Sequence, residues 1–342
     1  MEPREAQLSL RGPVRNLLHC MGEVFLLKPF KTLDEQIQIL KDRKLLIGNE
    51  DYAKNYLLSN GYYNVINGYS KYFPRSGDDY INGTTFEEVS RLCLFDKQLK
   101  QAMFEAILQA ELHLKAIFSY HFSATFPNKP YAYLCTDCYN PTKVLSIIRT
   151  INLLSSRIEQ QKKISTSSIR HYINNHNDVP IWVLVNQIDF GELRYMLHNS
   201  LLTIQNSVAR DTCAFIQQNI TTVSTFPPEV MMSFVDNINE VRNICAHNNR
   251  LLGYSCKSDS KYWHDLHSLY GIENHDNRRN VYSVFLSLQC FLSRTEYATL
   301  NNKFRKSMHI LANHLRSIDI NTVLKELGFP DDWHVNNRRI SL

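Results

Sequence analysis

The sequence predicts a nearly all-α protein, and two features support that prediction. Long stretches carry apolar residues at steps of three and four, the spacing that places them on one face of a helix. Only 11 glycines and 11 prolines occur among 342 residues, which leaves little material for the turns of a β fold. In chain order, the stretches with helical periodicity are 95–122, 143–155, 228–247, 281–291 and 303–315.

Composition indicates an ordinary folded protein. Hydrophobic residues make up 44% and charged residues 21% of the chain, as in globular domains, and the length suits one large or two modest domains. The sequence has no run of about 18 apolar residues, so we expect no membrane span. Arg4, Glu5 and Arg11 interrupt any signal-peptide core, and the eight cysteines are scattered like reduced thiols. We therefore expect a cytoplasmic protein.

The helix predicted at 228–247 has recognisable ends. Thr225 is a candidate N-cap, and the prolines that follow it suit a first helical turn, where their missing N–H groups are not needed. Asn248 and Asn249 are plausible stop residues. His247 is therefore expected in or near the last turn.

Arg242, Asn243 and His247 near this helix end carry the most distinctive chemistry in the chain. A helix C-terminus carries partial negative charge, which favours a protonated imidazole, and histidine exchanges protons in the physiological range. Arg242 lies about 140° round the helix from His247, so the two side chains could flank a groove. A guanidinium is a planar, permanently charged fork that suits a phosphate. Asn243 shares the face of His247 and could orient it or the phosphate.

This trio predicts cleavage of RNA without a metal. RNA supplies its own nucleophile, the 2′-hydroxyl, so an enzyme needs only to move protons and stabilise the crowded phosphate. We assign proton transfer to His247 and phosphate stabilisation to Arg242, and we expect a product that ends in a 2′,3′-cyclic phosphate. On these residues alone an ordinary solvated helix end is the favoured interpretation, because an Arg and a His at this spacing also occur by chance; a pattern over the whole chain changes that preference.

Short blocks in a fixed order extend the pattern over residues 28–334. They are 28–37, 61–63 with 67–73, 94–99, 180–183 with 190–193, 242–247, and 328–330 with Trp333. Together they resemble the Abi-like abortive-infection family of bacterial phage-defence proteins (AbiD/AbiF-like), in the HEPN superfamily. The chain departs from the family in carrying Asn248 where a second histidine is expected, and Leu252 and Gly253 where polar or aromatic residues are usual.

The resemblance implies a multi-helical HEPN-type bundle with additional helices, spanning 28–334 and holding the motif at 242–247. Residues 1–27 would be an N-terminal extension and 335–342 a C-terminal tail. It also implies metal-independent ribonuclease activity, with catalytic roles for Arg242 and His247 and a supporting role for Asn243.

HEPN active sites are commonly composite, with two motifs facing one another. Lys115 with His121 is the candidate second motif within the chain, but lysine lacks the bidentate fork of arginine. We favour a homodimer that brings together two copies of 242–247, in which each copy offers the same surface.

A net charge of +5 and a pI of about 8.7 favour polyanionic partners. The basic residues concentrate in two stretches that could hold an RNA backbone, although each could equally be a solvated helix face. The candidate RNA-binding residues are Arg294, Lys303, Arg305, Lys306, Arg316, Lys162 and Lys163. Some Abi-like proteins pair with a small antitoxin RNA, so an inhibitory RNA is a further expected partner.

Candidate metal ligands are sparse. Cys135 and Cys138 form a lone CxxC, which lacks the second ligand pair that structural zinc normally needs. His264, Asp265 and His267 resemble a set of metal ligands, but we favour a surface turn for His264 and His267. We therefore expect no metal and no cofactor.

The tyrosines Tyr62, Tyr63, Tyr69 and Tyr72 cluster beside Gly61 and Gly68. They could stack on unpaired bases, but packing against the core is the favoured interpretation.

The sequence thus predicts an RNA-cleaving toxin, with defence implied by the resemblance alone. The alternative is a non-catalytic RNA-binding or protein-interaction module that uses the same basic surface. Target RNA, trigger and oligomeric state stay open.

Overall fold

The computed structural model describes residues 29–176, 178–221 and 223–341. The expected extension at 1–27 and Lys28 lie outside these ranges. Helices dominate, and the strands in the described ranges are one short antiparallel pair, β1 (Arg75–Ser76) and β2 (Asp79–Tyr80). The all-α prediction is therefore confirmed.

The α-helices follow one another with short connections. They are α1 (Leu33–Asp42), α2 (Glu50–Asn60), α3 (Phe86–Thr125), α4 (Val144–Lys162), α5 (Ser168–His176), α6 (Ile181–Leu184), α7 (Phe190–Asn199), α8 (Leu202–Asn219), α9 (Pro228–Ala246), α10 (His264–His267), α11 (Val281–Ser287), α12 (Arg294–Ala312), α13 (Ile320–Leu327) and α14 (Trp333–Asn336). A π-helical turn occupies Tyr63–Asn67. Short 3₁₀ turns lie at Ser70–Tyr72, Ala132–Leu134, Thr136–Cys138, Pro141–Lys143, Val185–Gln187, Ser268–Tyr270 and Leu288–Cys290.

The central element is α3, which has 40 residues and packs against α8, α9 and α12. It begins at Phe86 because Thr85 and Glu88 form a reciprocal capping box, in which each side chain bonds the other's backbone N–H. The predicted stretch 95–122 therefore extends by about two turns at its start.

The helix α9 matches its prediction closely but starts differently. Pro227 occupies the N-cap without a side-chain bond, so the prediction of Thr225 as N-cap is wrong. The carbonyl of Thr225 instead accepts a hydrogen bond from Trp263 Nε1 at 3.1 Å. At the other end, Asn248 is left-handed (φ 53°) and ends the helix as predicted.

A single cluster of buried apolar side chains runs from Ile37 to Trp333. In this cluster α1 packs on α2, and α2 packs on α3. Later in the chain, α12 packs on α3, and α13 and α14 pack on α12. The polar stretch 160–177, for which no helix was predicted, contains the end of α4 and all of α5. Within the described ranges, none of the helices combines the length and the apolar character that crossing a membrane requires.

Candidate active site

His247 and Asn243 are solvent-exposed at the C-terminal end of α9, and Arg242 is partly buried. His247 is the C-cap residue, and its backbone N–H donates to the carbonyl of Asn243 at 3.0 Å. The imidazole therefore stands at the helix end that the sequence predicted.

The guanidinium of Arg242 has no charge partner among the described residues. Its one side-chain hydrogen bond in the described structure runs from Nη1 to Asn243 Oδ1 at a long 3.4 Å. The Nε atom is buried and has no hydrogen-bond partner among the described residues, and none of their carboxylates forms a salt bridge with Arg242. Such an unsatisfied donor costs free energy unless a ligand meets it.

His247 borders a cleft of about 440 Å³, which we call the His247 cleft. Its walls come from the end of α2, the π-helical turn, the first half of α3 and the turn after α9. The lining residues are Asn60, Tyr63, Asn64, Asn67, Gly68, Tyr69, Cys93, Lys97, Lys100, His247, Asn248, Asn249 and Arg250.

The His247 cleft is positively charged. Lys97, Lys100 and Arg250 line it together with His247, and its described lining contains no carboxylate. Buried Asp96 behind the lining pairs with Lys100, so Lys97 and Arg250 carry the charge that faces the cleft. Lys97 is exposed and forms no ion pair among the described residues. A surface of this kind attracts phosphate.

Arg242 and Asn243 are not among the residues that line the cleft. The structure therefore places His247 on the cleft and Arg242 outside it, as expected for side chains about 140° apart on one helix. One copy of the chain does not bring the guanidinium and the imidazole into a single pocket.

Buried Asp96 fixes the chain segment that follows the motif. Its Oδ1 accepts the backbone N–H groups of Leu251 and Leu252 at 3.0 and 2.7 Å. Its Oδ2 accepts the hydroxyl of Tyr69 at 2.8 Å and lies 3.4 Å from Lys100 Nζ. We call Asp96, Tyr69 and Lys100 the Asp96 cluster.

Lys100 links this cluster to the residue next to His247. Its Nζ donates to Asn248 Oδ1 at 2.9 Å. Arg250 adds a second tie, because its Nη1 donates to the carbonyl of Gly68 at 2.6 Å. The turn that carries His247 is thus held from both walls of the cleft.

The thiols near the site are poor nucleophiles. Burial, reinforced by the nearby carboxylate of Asp96, raises the pKa of Cys245 to about 12. Burial also raises the pKa of Cys93, which lines the cleft. Both thiols therefore stay protonated at physiological pH and are poor nucleophiles.

The basic residues predicted on α12 do not form one surface. Lys303 pairs with Glu105 of α3, and Arg305 Nε donates to the carbonyl of Asn337 at 2.9 Å. Lys303 and Arg305 are also about 160° apart around the helix, at about 100° per residue. Lys306 is exposed beside Lys303 in the groove between α3 and α12.

The other predicted RNA contacts lie apart from the His247 cleft lining. Arg294 begins α12, and its Nη1 reaches a carbonyl of α8 at 3.5 Å. Arg316 is exposed beyond the end of α12. Lys162 lies 3.8 Å from Glu159, and Lys163 is exposed at the end of α4. The structure does not bring these residues together with His247.

Lys115 and His121, the candidate second motif, have structural partners. Lys115 Nζ contacts Glu111 at 2.7 Å and donates to the carbonyl of Ile188 at 2.6 Å. His121 Nε2 lies 2.6 Å from Asp211 Oδ2. Both side chains are largely buried in these contacts, which favours a structural role.

No group of three or more candidate metal ligands occurs in the part of the chain that the structure describes. His264 is exposed as expected, but the surface-turn expectation is wrong for His267. That side chain is fully buried and stacks on Tyr262, with ring centroids 5.3 Å apart. Burial lowers the pKa of His267 to about 4.

Sequence reasoning missed Asp96, Lys97 and Lys100 as parts of the site. The block at 94–99 enters the sequence analysis only through the family resemblance, and in the structure it lies well inside α3. An aspartate on an otherwise apolar helical face was the available signal, because a carboxylate there must find buried partners.

A family model described as Abi-like protein matches residues 55–253. The matched segment contains every residue that lines the His247 cleft, together with all of α9. No curated protein and no solved structure matches the chain.

Proposed function

The chain belongs to the Abi-like protein family, and from this premise we propose that it is an RNA-cleaving effector of abortive-infection phage defence. In this proposal it is a HEPN ribonuclease of the AbiD/AbiF-like kind. The family supports the defence role, and the residues at the end of α9 support the chemistry.

The guanidinium of Arg242, which forms no salt bridge among the described residues, carries the proposal. Its two terminal Nη groups form a planar fork that could donate two parallel hydrogen bonds to phosphate oxygens. Exposed His247 lies five residues away on a positively charged cleft, where an RNA strand would be attracted.

The proposed reaction balances with RNA and protons alone. His247 accepts the proton of the 2′-hydroxyl, and the 2′ oxygen forms a bond to phosphorus. The bond from phosphorus to the 5′ oxygen breaks, and that oxygen takes a proton. The products are a 2′,3′-cyclic phosphate and a 5′-hydroxyl, while Arg242 stabilises the charge that develops on the phosphate.

A homodimer would complete this site. Because Arg242 and His247 face different sides of α9, two facing motifs allow Arg242 of one copy to approach the cleft of the other. The second histidine would then supply the proton for the leaving oxygen. A small antitoxin RNA bound in the same cleft would exclude the substrate and keep the effector inactive.

A non-catalytic RNA-binding module is the second candidate. The absence of Arg242 from the cleft lining favours it, since charge alone is enough to bind RNA. In that case Arg242 would organise a dimer and His247 would only contact the ligand.

Single substitutions distinguish these candidates. The proposal predicts that Arg242→Ala and His247→Ala each lower RNA cleavage at least about a hundredfold while thermal melting and RNA binding are kept. Arg91→Ala and His264→Ala are matched controls, because both residues are exposed and lie off the cleft. Cleavage at wild-type rates by both motif variants would exclude this site. RNA binding without cleavage by any of the proteins would favour the binding module.

A further inference from the structure

The rim of the His247 cleft presents an aromatic ring to solvent. Tyr63, the first residue of the π-helical turn, is 75% exposed, whereas Val65 and Ile66 of the same turn are buried. Tyr69 is buried as well, so the favoured interpretation of core packing holds for Tyr69 and is wrong for Tyr63. π-helical turns are rare and frequently lie at functional sites.

Gly61 makes this display possible. It lies between α2 and the π-helical turn with φ +79°, a conformation that other residues rarely adopt. The chain can therefore reverse within a few residues and place Tyr63 beside Asn60 and Asn64 on the same wall of the cleft.

The amide groups of Asn60 and Asn64 have fixed orientations. Asn60 Nδ2 donates to the carbonyl of Tyr56 at 3.0 Å, and Asn64 Nδ2 donates to the carbonyl of Asn60 at 3.1 Å. Because a carbonyl accepts only from the NH₂ group, each Oδ1 is the atom left for a ligand. Two acceptors beside an aromatic ring match a base whose Watson–Crick edge donates an amino hydrogen.

Size and charge complete the match. The cleft volume of about 440 Å³ falls within the range typical of small-ligand sites. Lys97, which is exposed and forms no ion pair among the described residues, supplies positive charge for the phosphate on the wall formed by α3, and His247 lies on the same cleft.

We propose that the His247 cleft is a single-nucleotide subsite, in which Tyr63 stacks on the base and the Oδ1 atoms of Asn60 and Asn64 accept its exocyclic amino group. This inference rests on the proposed function, because RNA is the ligand assumed. It predicts that cytosine is preferred over uracil, since uracil presents a carbonyl oxygen where cytosine carries the amino group.

Binding of uncleavable RNA tests the subsite apart from catalysis. The probes are fluorescent eight-nucleotide 2′-O-methyl oligomers of cytidine and of uridine, titrated with the full chain. We expect Tyr63→Ala to weaken binding about five- to 150-fold, the loss that corresponds to one stacked base, and Tyr63→Phe to bind like the wild type. Asn64→Ala should lower the preference for cytidine about two- to tenfold.

Two controls share the chemistry of these positions. Tyr120 is 68% exposed on α3 but lies off the cleft. Asn175 is exposed, and its Nδ2 donates to the carbonyl four residues earlier, as in Asn64. Tyr120→Ala and Asn175→Ala should leave binding unchanged.

The outcomes separate the subsite from the nuclease. Wild-type affinity in Tyr63→Ala, equal affinity for the two oligomers, or no binding by the wild type would each overturn the subsite. If the protein prefers cytidine through Tyr63 but does not cleave RNA, the result would support the subsite and exclude the proposed nuclease activity.

Discussion

Replacing Asp96 by asparagine tests whether the Asp96 cluster holds the turn after the motif. The substitution keeps the shape of the side chain and one oxygen for the N–H groups of Leu251 and Leu252. The second oxygen becomes an NH₂ group that faces two other donors, the Tyr69 hydroxyl and the Lys100 ammonium. Lys100 is then almost fully buried without its ionic partner.

The expected cost follows from burial. The side chains of Asp96 and Lys100 are 0% and 8% exposed, and removal of one partner from a buried ion pair typically costs about 3–5 kcal/mol. We therefore expect Asp96→Asn to lower the free energy of unfolding by about that amount. Adding Lys100→Met removes the unpaired charge and should recover part of the loss.

Urea unfolding followed by circular dichroism measures these differences. Asp34→Asn is the matched control, because Asp34 forms its ion pair with Lys54 at the surface and such pairs contribute about 0–1 kcal/mol. If Asp96→Asn lowers the free energy of unfolding by less than about 1 kcal/mol, or if the double variant is no more stable than Asp96→Asn alone, the Asp96–Lys100 pair does not stabilise the fold in this way.

Three further predictions concern stability. Burial lowers the pKa of His267 from 6.5 to about 4. The unfolded chain therefore binds a proton at this residue before the folded protein does. The free energy of unfolding is at its full value above pH 6.5 and falls as the pH is lowered from 6.5 to 4. At about 1.4 kcal/mol per pKa unit, the loss of unfolding free energy amounts to about 3 kcal/mol. His267→Phe should make the unfolding free energy less dependent on pH between 4 and 6.5. An unchanged pH dependence in the variant would contradict the lowered pKa of His267. Gly253→Ala should cost about 1–2 kcal/mol by thermal melting, because φ is +74° and a Cβ would lie 2.8 Å from Tyr72 Oη; a neutral result would argue against this packing. Burial opposes ionisation of Glu88, but hydrogen bonds led by the backbone N–H of Ser317 outweigh this effect and lower the pKa below 4.5. Glu88→Gln should therefore lose less unfolding free energy than the wild type as the pH falls below 4.5. The same loss in both proteins, measured by urea unfolding at each pH, would contradict this role of Glu88.

Local patterns in the sequence predicted the helices well. Steps of three and four located α9, and Asn248 marked its end because asparagine tolerates the left-handed conformation found there. The N-cap prediction for Thr225 was wrong because a tertiary contact determines its conformation. The carbonyl of Thr225 accepts a hydrogen bond from Trp263 Nε1. The start of α3 was missed although Thr85 and Glu88 spell a capping box.

The candidate site was predictable only in part. Arg242 and His247 stand out because they lie on one helix, and their separation in angle follows from its geometry. The cleft depends on contacts that no local pattern encodes, such as Lys100 with Asn248, 148 residues apart in sequence. The lack of a hydrogen-bond partner for Arg242 Nε among the described residues is likewise a property of the folded chain.

Analysis of RNA ends tests whether the chain is a metal-independent ribonuclease. Purified wild-type protein, stripped of bound nucleic acid, is incubated with labelled total RNA in EDTA beside the Arg242→Ala/His247→Ala double variant. We expect the wild type alone to cleave the RNA and to leave 2′,3′-cyclic phosphate and 5′-hydroxyl ends. Equal cleavage by the double variant, or wild-type activity that EDTA abolishes, would contradict this expectation.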